Sequence, residues 1–483
     1  MTTVRTRFAP SPTGYMHIGN LRTALYTYLI ARVNKGKFIL RIEDTDQGRY
    51  VEDALDVIYE TLDMIGLEYD EGPKVGGDYG PYVQSQRKDT YSKFAHQLVE
   101  SGHAYPCFCT VERLNKARKE AGGVWRYDRH CRDLSKEEAQ KRIDAGEEYV
   151  IRQKMPVTGS TTFKDAVFGE ITVPNEELED QVLLKADGLP TYNFANVIDD
   201  HAMKITHVVR GTEYLSSSPK YNLLYEAFGW QVPTYVHLTS IIREGGKKLS
   251  KRDGDAAFSD FYKKGYLIDA IVNYIALLGW SSGTEQEIFS LDELKEQFSI
   301  TGLSKSPAVF DIKKLRWMNS VYIKNLSPEQ FSKRAMPYLN SVFKDTKINK
   351  NQVAQLLHNR VEVLGEIPEM VEFLVNLPEF DVNMFKHEKT KTGLAEALES
   401  LKSSYEALSK LSDWNKNSLK ATLKQTTKEL AVKTGRILWP LRIAVSGLES
   451  TPGGAYDVLE LLGKEEALNR LNKGIKKAQA ALA

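Results

Sequence analysis

The chain has 483 residues, 42% of them hydrophobic and 27% charged, with a formal net charge of +1. That length exceeds a single hydrophobic core, so about two to four domains are expected; ordinary composition excludes a disordered chain, and near-neutral charge means that any nucleic-acid footprint is local. No apolar run reaches the roughly 18–20 residues that span a bilayer, the opening MTTVRTRFAPSPTG lacks the apolar core of a signal peptide, and three cysteines do not make a disulfide scaffold, so a cytoplasmic protein with no membrane partner is expected.

Val4, Thr6 and Phe8 alternate and predict a strand, which Pro10, Pro12 and Gly14 terminate. From Asn20, the residues Leu21, Ala24, Leu25, Tyr28 and Leu29 share one helical face, and Gly36 ends that helix. Residues 37–42, KFILRI, predict a short buried strand. Strand, crossover helix and strand imply a βαβ unit with a parallel sheet. Residues 99–188 differ in texture, with cysteine-bearing loops and short strand-like runs such as EYVIRQKM and ITVPNEE, and read as an α+β insertion. Strand character returns at TYNFANVIDD and THVVRG, and from about residue 321 the spacing is helical, as in GLAEALESLKSSYEALSKL and KEEALNRLNKGIKKAQAALA.

The segment SPTGYMHIGN is a proline- and glycine-rich turn from strand into helix. A helix N-terminus offers unpaired N–H groups and the positive end of a dipole, which attract phosphate. Gly19 lets a flat group such as adenine approach the backbone, and His17 is placed to donate a hydrogen bond to a phosphate oxygen. Two other nucleotide loops are excluded. Asn20-Leu21 stands where a P-loop needs Lys-Ser/Thr, and no GxGxxG follows the first strand. Downstream, KKLSKR follows Gly245 and Gly246 as a basic loop, with Lys248 and Lys251 suited to neutralising charge on a breaking phosphoanhydride.

The HIGN element paired with KLSK resembles the two signatures of class I aminoacyl-tRNA synthetases. RFAPSPTGYMHIGNLRTALY, RIEDTD, TYNFANVIDDH and KLSKRDGD look like bacterial glutamyl-tRNA synthetases over the first 320 residues, and more weakly beyond. The class motif ends in histidine where this chain has Asn20. The resemblance implies an α/β Rossmann-like nucleotide-binding catalytic domain over 1–320, with halves at about 1–98 and 189–250. It places an acceptor-end-binding α+β insertion at about 99–188 and a helical connector at 251–320. An all-α anticodon-binding domain over 321–483 follows.

The resemblance also implies the chemistry: glutamate and ATP give glutamyl-adenylate, whose acyl group passes to the 3′-terminal ribose of tRNA-Glu, with Mg2+ assisting and bound tRNA required for activation. His17, Lys248 and Lys251 are the expected catalytic residues, and together with Gly19 they bind ATP. A site for a dianionic amino acid needs fixed cations for carboxylates and an anion for the ammonium group. Arg7 beside the nucleotide loop, Glu43 at a strand end and Arg210 after THVV supply those charges, and by resemblance Arg7, Ser11, Glu43, Tyr192, Asn196 and Arg210 form the glutamate pocket. Relatives of this kind are monomers, and some also charge tRNA-Gln.

All three cysteines, Cys107, Cys109 and Cys131, cluster in the insertion, and three thiolates with one more ligand close a structural Zn2+ site. Tyr127 and His130 are the candidates for the fourth position. Histidine is the commoner ligand, but His130 is adjacent to Cys131; the Cys-x-Cys and Tyr-x-x-x-Cys spacing of some bacterial glutamyl enzymes favours Tyr127. Glutaminyl enzymes carry β-barrels where this chain is helical. The short paralogue that glutamylates a modified base lacks the tail altogether. Other nucleotidyltransferases of this fold are shorter, and a non-enzymatic RNA-binding protein has no use for His17 with Lys248 and Lys251.

Overall fold

The computed structural model describes residues 3–12, 16–45, 51, 53–122, 125–247, 257–344 and 346–483. The chain divides into two units, Met1–Phe261 with Ile271–Ile312, and Tyr262–Ala270 with Lys313–Ala483. In the first, β1 (Arg5–Phe8) leads through α1 (Ile18–Val33) to β2 (Lys37–Leu40). The two strands are parallel, Arg5 opposite Lys37 and Phe8 opposite Leu40, as the strand–helix–strand pattern predicts. All four β1 residues are buried, so the alternation at Val4, Thr6 and Phe8 does not mark a solvent face. α1 stops where Lys35 adopts φ 51° and the Gly36 N–H bonds the Ala31 carbonyl at 2.8 Å. A Cβ on Gly36 would strike the Val4 carbonyl, so only glycine fits this turn.

Next come α2 (Ala54–Met64), α3 (Lys88–Glu100), β3 (Ala104–Cys107), α4 (Val111–Glu120) and α5 (Lys136–Asp144). They are followed by β4 (Val150–Gln153), β5 (Ser160–Asp165), β6 (Gly169–Pro174) and β7 (Val182–Leu184). Then α6 (Tyr192–Ala202), β8 (His207–Gly211), α7 (Ser218–Ala227) and β9 (Thr234–Leu238) complete the main sheet and its cover. Strand order in that sheet is β2-β1-β8-β9-β5-β6. β2, β1, β8 and β9 run parallel, β5 joins β9 in parallel where Asp165 faces Tyr235, and β6 is the antiparallel hairpin partner of β5. From β1 the chain steps to β2 on one side and reaches β8 on the other. Such a reversal opens a crevice at the carboxyl ends of the strands.

Two expectations are modified here. Residues 99–188 do not stay apart from the nucleotide-type sheet: β3, β4 and β7 form their own antiparallel sheet, whereas the β5–β6 hairpin extends the main one. The run TYNFANVIDD, read as strand, is helix α6. Phe194, Ala195, Val197 and Ile198 follow helical spacing and pack with Tyr91, Leu98 and Leu224. Asn196, Asp199 and Asp200 are buried as well. A helix covered on most sides loses its polar stripe, and aromatic and β-branched residues then imitate a strand.

β10 (Ile241–Arg243) pairs in parallel with β11 (Ala308–Phe310). Between them in sequence lie α8 (Phe258–Lys263), α9 (Ile268–Ala276) and α10 (Leu291–Gln297). The helical region comprises α11 (Ile312–Lys324), α12 (Pro328–Val342), α13 (Lys350–Leu357), α14 (Ile367–Val371), α15 (Leu394–Ser409), α16 (Lys416–Glu429), α17 (Thr434–Ser446) and α18 (Ala455–Leu482). One core of residues such as Phe331, Leu357, Leu401, Leu441 and Leu471 holds the second unit together. Gly463, at φ 74°, breaks α18 near its middle. Trp439 donates its indole N–H to the Met384 carbonyl at 2.9 Å and precedes Pro440 inside α17, which makes the pair part of the packing. Among the described residues no helix is long and apolar enough to cross a membrane.

Candidate active site

Four adjacent parallel strands end side by side, and each delivers polar side chains to the crevice. Arg7 is next to last on β1, Arg41 and Glu43 follow β2, Arg210 is next to last on β8, and His237 is next to last on β9. Arg210 and His237 are register partners. All five are buried.

An ion network links three of these residues to Asp200 at the end of α6. Asp200 Oδ1 accepts from Arg7 Nε at 2.9 Å and from Arg41 Nη1 at 2.7 Å. Arg41 Nη2 turns to Glu43 Oε1 at 2.9 Å, with Nε at 3.3 Å. Burial acts most strongly on Asp200 and would raise its pKa, but Arg7 and Arg41 hold the carboxyl below the usual range. Glu43 is pushed up by burial, against the pull of Arg41 and Arg7. Arg7 also donates through Nη1 to the Val209 carbonyl at 3.4 Å, so its expected two-pronged grip on a substrate narrows to Nη2 and what Nη1 can share. Glu43 keeps Oε2 for a cation.

Arg210 is held differently. No carboxylate touches it among the described residues. Its Nε donates to His237 Nε2 and its Nη2 to Ser218 Oγ, both at 3.3 Å. The guanidinium stands over the rings of Tyr221 at 4.5 Å, Tyr235 at 5.3 Å and Tyr214 at 5.4 Å. Nη1 is buried without a hydrogen-bond partner among the described residues. A buried cationic N–H without an acceptor is costly, and an added carboxylate removes that cost. Tyr192 packs on Tyr214 at 5.5 Å between ring centroids. Burial first, then the charge of Glu43, keeps the Tyr192 hydroxyl protonated. Asn196, one turn along α6, donates Nδ2 to the Tyr192 carbonyl at 2.8 Å.

On the nucleotide side, His17 caps α1 by accepting the Gly19 N–H on Nδ1 at 3.0 Å. The neutral ring therefore carries its proton on Nε2, the form able to donate to a phosphate oxygen. Ser11 and Asn20 are exposed, and Gly19 is half-buried. Gly14, Lys248 and Lys251 lie outside the described residues.

The cysteine cluster is well formed. The Sγ atoms of Cys107, Cys109 and Cys131 lie within 4.8 Å of one another, Cys109 and Cys131 at 3.7 Å. Sulfurs around a tetrahedral zinc stand roughly 3.8 Å apart, given bonds of about 2.3 Å. The Tyr127 hydroxyl sits 3.2 Å from Cys107 Sγ and 3.5 Å from Cys109 Sγ, whereas His130 is exposed and outside the cluster. Arg152 Nε lies 3.3 Å from Cys107 Sγ. The hydrogen bond between Cys107 and Cys131 pushes the Cys107 thiol down and the Cys131 thiol up, so Cys107 is the first of the pair to ionise. The donor set fits zinc.

Sequence reasoning singled out Arg7, Glu43, Tyr192, Asn196 and Arg210 but gave no role to Arg41 or Asp200, which stand inside the quoted runs RIEDTD and TYNFANVIDD. The available signal was the presence of a charged residue near a chosen one, Arg41 two positions before Glu43 and Asp200 four after Asn196. Asp165 and His237 carried no signal, because only the folded sheet brings His237 to Arg210 and Asp165 to His237, while Tyr214 and Ser218 follow Arg210 within eight residues but form no motif with it.

Comparison with known proteins agrees with this geometry. Residues 3–317 match the family model "tRNA synthetases class I (E and Q), catalytic domain", and residues 330–475 match "Anticodon binding domain". The chain is 56% identical over 482 residues to the glutamate--tRNA ligase of Clostridium novyi, covering 99% of each. It is 55% identical over 479 residues to that of Clostridium acetobutylicum, again covering 99% of each. It superimposes on a crystal structure of a glutamate tRNA ligase from Elizabethkingia meningosepticum in complex with its amino acid, with TM-score 0.89 and 37% identity over 98% of this chain and 99% of that one. A glutamate-tRNA synthetase from Elizabethkingia anophelis gives TM-score 0.90 at 37% identity, over 98% and 100% of the two chains.

Proposed function

The chain belongs to the class I tRNA synthetases for glutamate and glutamine, and from that premise we propose how its residues attach L-glutamate to tRNA-Glu at the expense of ATP. Arg210 receives the side-chain carboxylate of glutamate, and Glu43 receives the ammonium group. Arg7, Ser11, Tyr192 and Asn196 complete the pocket. The observation that carries this reading is Arg210 Nη1, buried and without an acceptor among the described residues. Glutamine offers the same site a neutral amide, leaving the arginine's charge uncompensated, so it is rejected without an editing step.

In the first step a glutamate α-carboxylate oxygen attacks the α-phosphorus of ATP. The Pα–O bond to the β-phosphate breaks, pyrophosphate leaves and glutamyl-adenylate forms. A carboxylate needs no base to become a nucleophile, so the acceleration comes from positioning and charge stabilisation. His17 Nε2–H and the N-terminus of α1 meet phosphate oxygens, Gly19 lies beneath the adenine, and Lys248 and Lys251 neutralise the departing pyrophosphate. Mg2+ would supply further charge neutralisation of the same kind. In the second step a hydroxyl of the tRNA 3′-terminal ribose attacks the activated acyl carbon, and AMP leaves.

Residues 1–320 perform this chemistry, with the 99–188 segment holding the acceptor end, and residues 321–483 read the anticodon. Cys107, Cys109, Cys131 and Tyr127 would hold a structural Zn2+ that ties the segment's loops together. The protein works as a cytoplasmic monomer, and tRNA-Gln is its second candidate acceptor. Arg210→Ala tests the pocket assignment. The KM for glutamate should rise about a hundredfold with the KM for ATP nearly constant. An unchanged glutamate KM would remove Arg210 from the site.

A further inference from the structure

Behind Arg210 stands a second layer of side chains that the glutamate assignment does not use. His237 is fully buried, and its Nδ1 lies 2.7 Å from Asp165 Oδ2. Asp165, at the end of β5, is an anchored acceptor. Its Oδ1 takes the N–H groups of Val167 and Phe168 at 2.9 and 2.8 Å, and its Oδ2 takes the His237 N–H at 3.1 Å. Burial pushes Asp165 upward most strongly, yet the His237 ring and these amides hold the carboxyl below the usual range. An ionised carboxylate leaves Nδ1 only the part of donor, so the His237 proton sits on Nδ1 and Nε2 keeps its lone pair.

That lone pair faces Arg210 Nε, while Ser218 Oγ faces Nη2. Ser218 donates its own proton to the Tyr214 carbonyl at 3.0 Å, which turns its oxygen toward the arginine as an acceptor. Two neutral acceptors thus grip one edge of the guanidinium, and the Tyr221, Tyr214 and Tyr235 rings lie against it. The remaining edge, bearing Nη1 and the second Nη2 proton, is the one that can take a carboxylate end-on. A direct carboxylate on the gripped edge would compete with the substrate for the same charge; a neutral histidine does not.

We propose that Asp165 and His237 are positioning residues for glutamate: the pair fixes the histidine as a neutral acceptor and so aims the free edge of Arg210 at the substrate's side-chain carboxylate. This rests on the reading that Arg210 binds that carboxylate. Protonation of His237 would set a second N–H, and a like charge, against the guanidinium. The groups facing the ring are Arg210 from β8, Asp165 from β5, Glu213 from the turn before α7, Ser218 at the start of α7, and Tyr235 on its own strand. Burial and then Arg210 outweigh Asp165 and keep the ring's pKa below 6.5. Glutamate affinity is therefore full at neutral pH and weakens only in the acid range, while ATP affinity does not share that dependence.

The test uses the full chain charging tRNA-Glu, with KM for glutamate and for ATP measured between about pH 5 and pH 8. His237→Leu should raise the glutamate KM about tenfold or more, leaving kcat and the ATP KM within about twofold. Asp165→Asn should do the same by releasing the tautomer. His237→Gln, which keeps an acceptor near the Nε2 position but cannot titrate, should recover most of the affinity and reduce the acid rise in glutamate KM to the part contributed by Glu43, whose carboxyl burial pushes up. An unchanged glutamate KM in His237→Leu, an equal rise in the ATP KM, or no recovery in His237→Gln would overturn the proposal. Arg210→Ala separates the two readings: if it raises the glutamate KM while His237→Leu does not, only the positioning role falls. If Arg210→Ala has no effect, the assignment of Arg210 falls first.

Discussion

Arg41 and Asp200 are 159 positions apart in sequence and meet at 2.7 Å with almost no solvent exposure. The same carboxylate oxygen takes Arg7, so one aspartate at the end of α6 fastens the carboxyl ends of both β1 and β2. Asp200→Asn leaves two buried guanidinium groups without their counter-charge, and the expected destabilisation is about 3–5 kcal/mol, read from chemical denaturation of the first unit's transition. Asp200 has a folded pKa below its ordinary 3.8. Its stabilising contribution is therefore fully present above about pH 4 and is lost as pH falls through the lower folded value. Wild type should lose more stability than Asp200→Asn between about pH 5 and pH 3.

Glu43 gives Oε1 to Arg41, and the proposed pocket seats the substrate ammonium group on Oε2. Glu43→Gln should lower kcat/KM for glutamate about a hundredfold or more in tRNA-dependent pyrophosphate exchange, with little change in the ATP KM. Glutarate, which has both carboxylates and no amine, should inhibit the variant and the wild type almost equally. A matching loss of glutarate inhibition would take Glu43 away from the ammonium group.

The cysteine cluster predicts about one zinc per chain by elemental analysis, given a closed four-ligand site. Cys131→Ser and Tyr127→Phe should both lower zinc retention against a chelator. His130→Ala should not, because His130 is exposed and apart from the three sulfurs. Zinc lost with His130 and kept without Tyr127 would reverse the assignment of the fourth ligand.

Lys248→Ala and Lys251→Ala should each cut the rate of pyrophosphate exchange about a hundredfold or more while the glutamate KM stays within a few-fold, because the proposed mechanism has them neutralise charge that develops only as the phosphoanhydride breaks. A rise confined to the ATP KM would make them ground-state binders.

The sequence was most readable where chemistry is local. His17 and Gly19 sit in one turn, the three cysteines in one segment, and the strand–helix–strand start needs only periodicity. It was least readable where burial erases pattern or where partners are remote. TYNFANVIDD imitates a strand because α6 is covered on most of its surface, even Asn196 and Asp199. Asp165 lies in a stretch whose texture suggests a separate insertion, yet β5 pairs with β9 and carries it to His237, 72 positions away. No motif joins those residues. Arg41 and Asp200 show the intermediate case: both were visible as charged residues, but their pairing depends on α6 ending above the strands, which spacing does not reveal.

The most direct test of the central claim is aminoacylation. The purified protein would be supplied with ATP, Mg2+ and either labelled glutamate or labelled glutamine, together with tRNA-Glu or tRNA-Gln transcripts. The account predicts that glutamate is esterified to tRNA-Glu and that glutamine is transferred to neither tRNA. Stable charging with glutamine, or none with glutamate by folded protein that binds ATP, would contradict it.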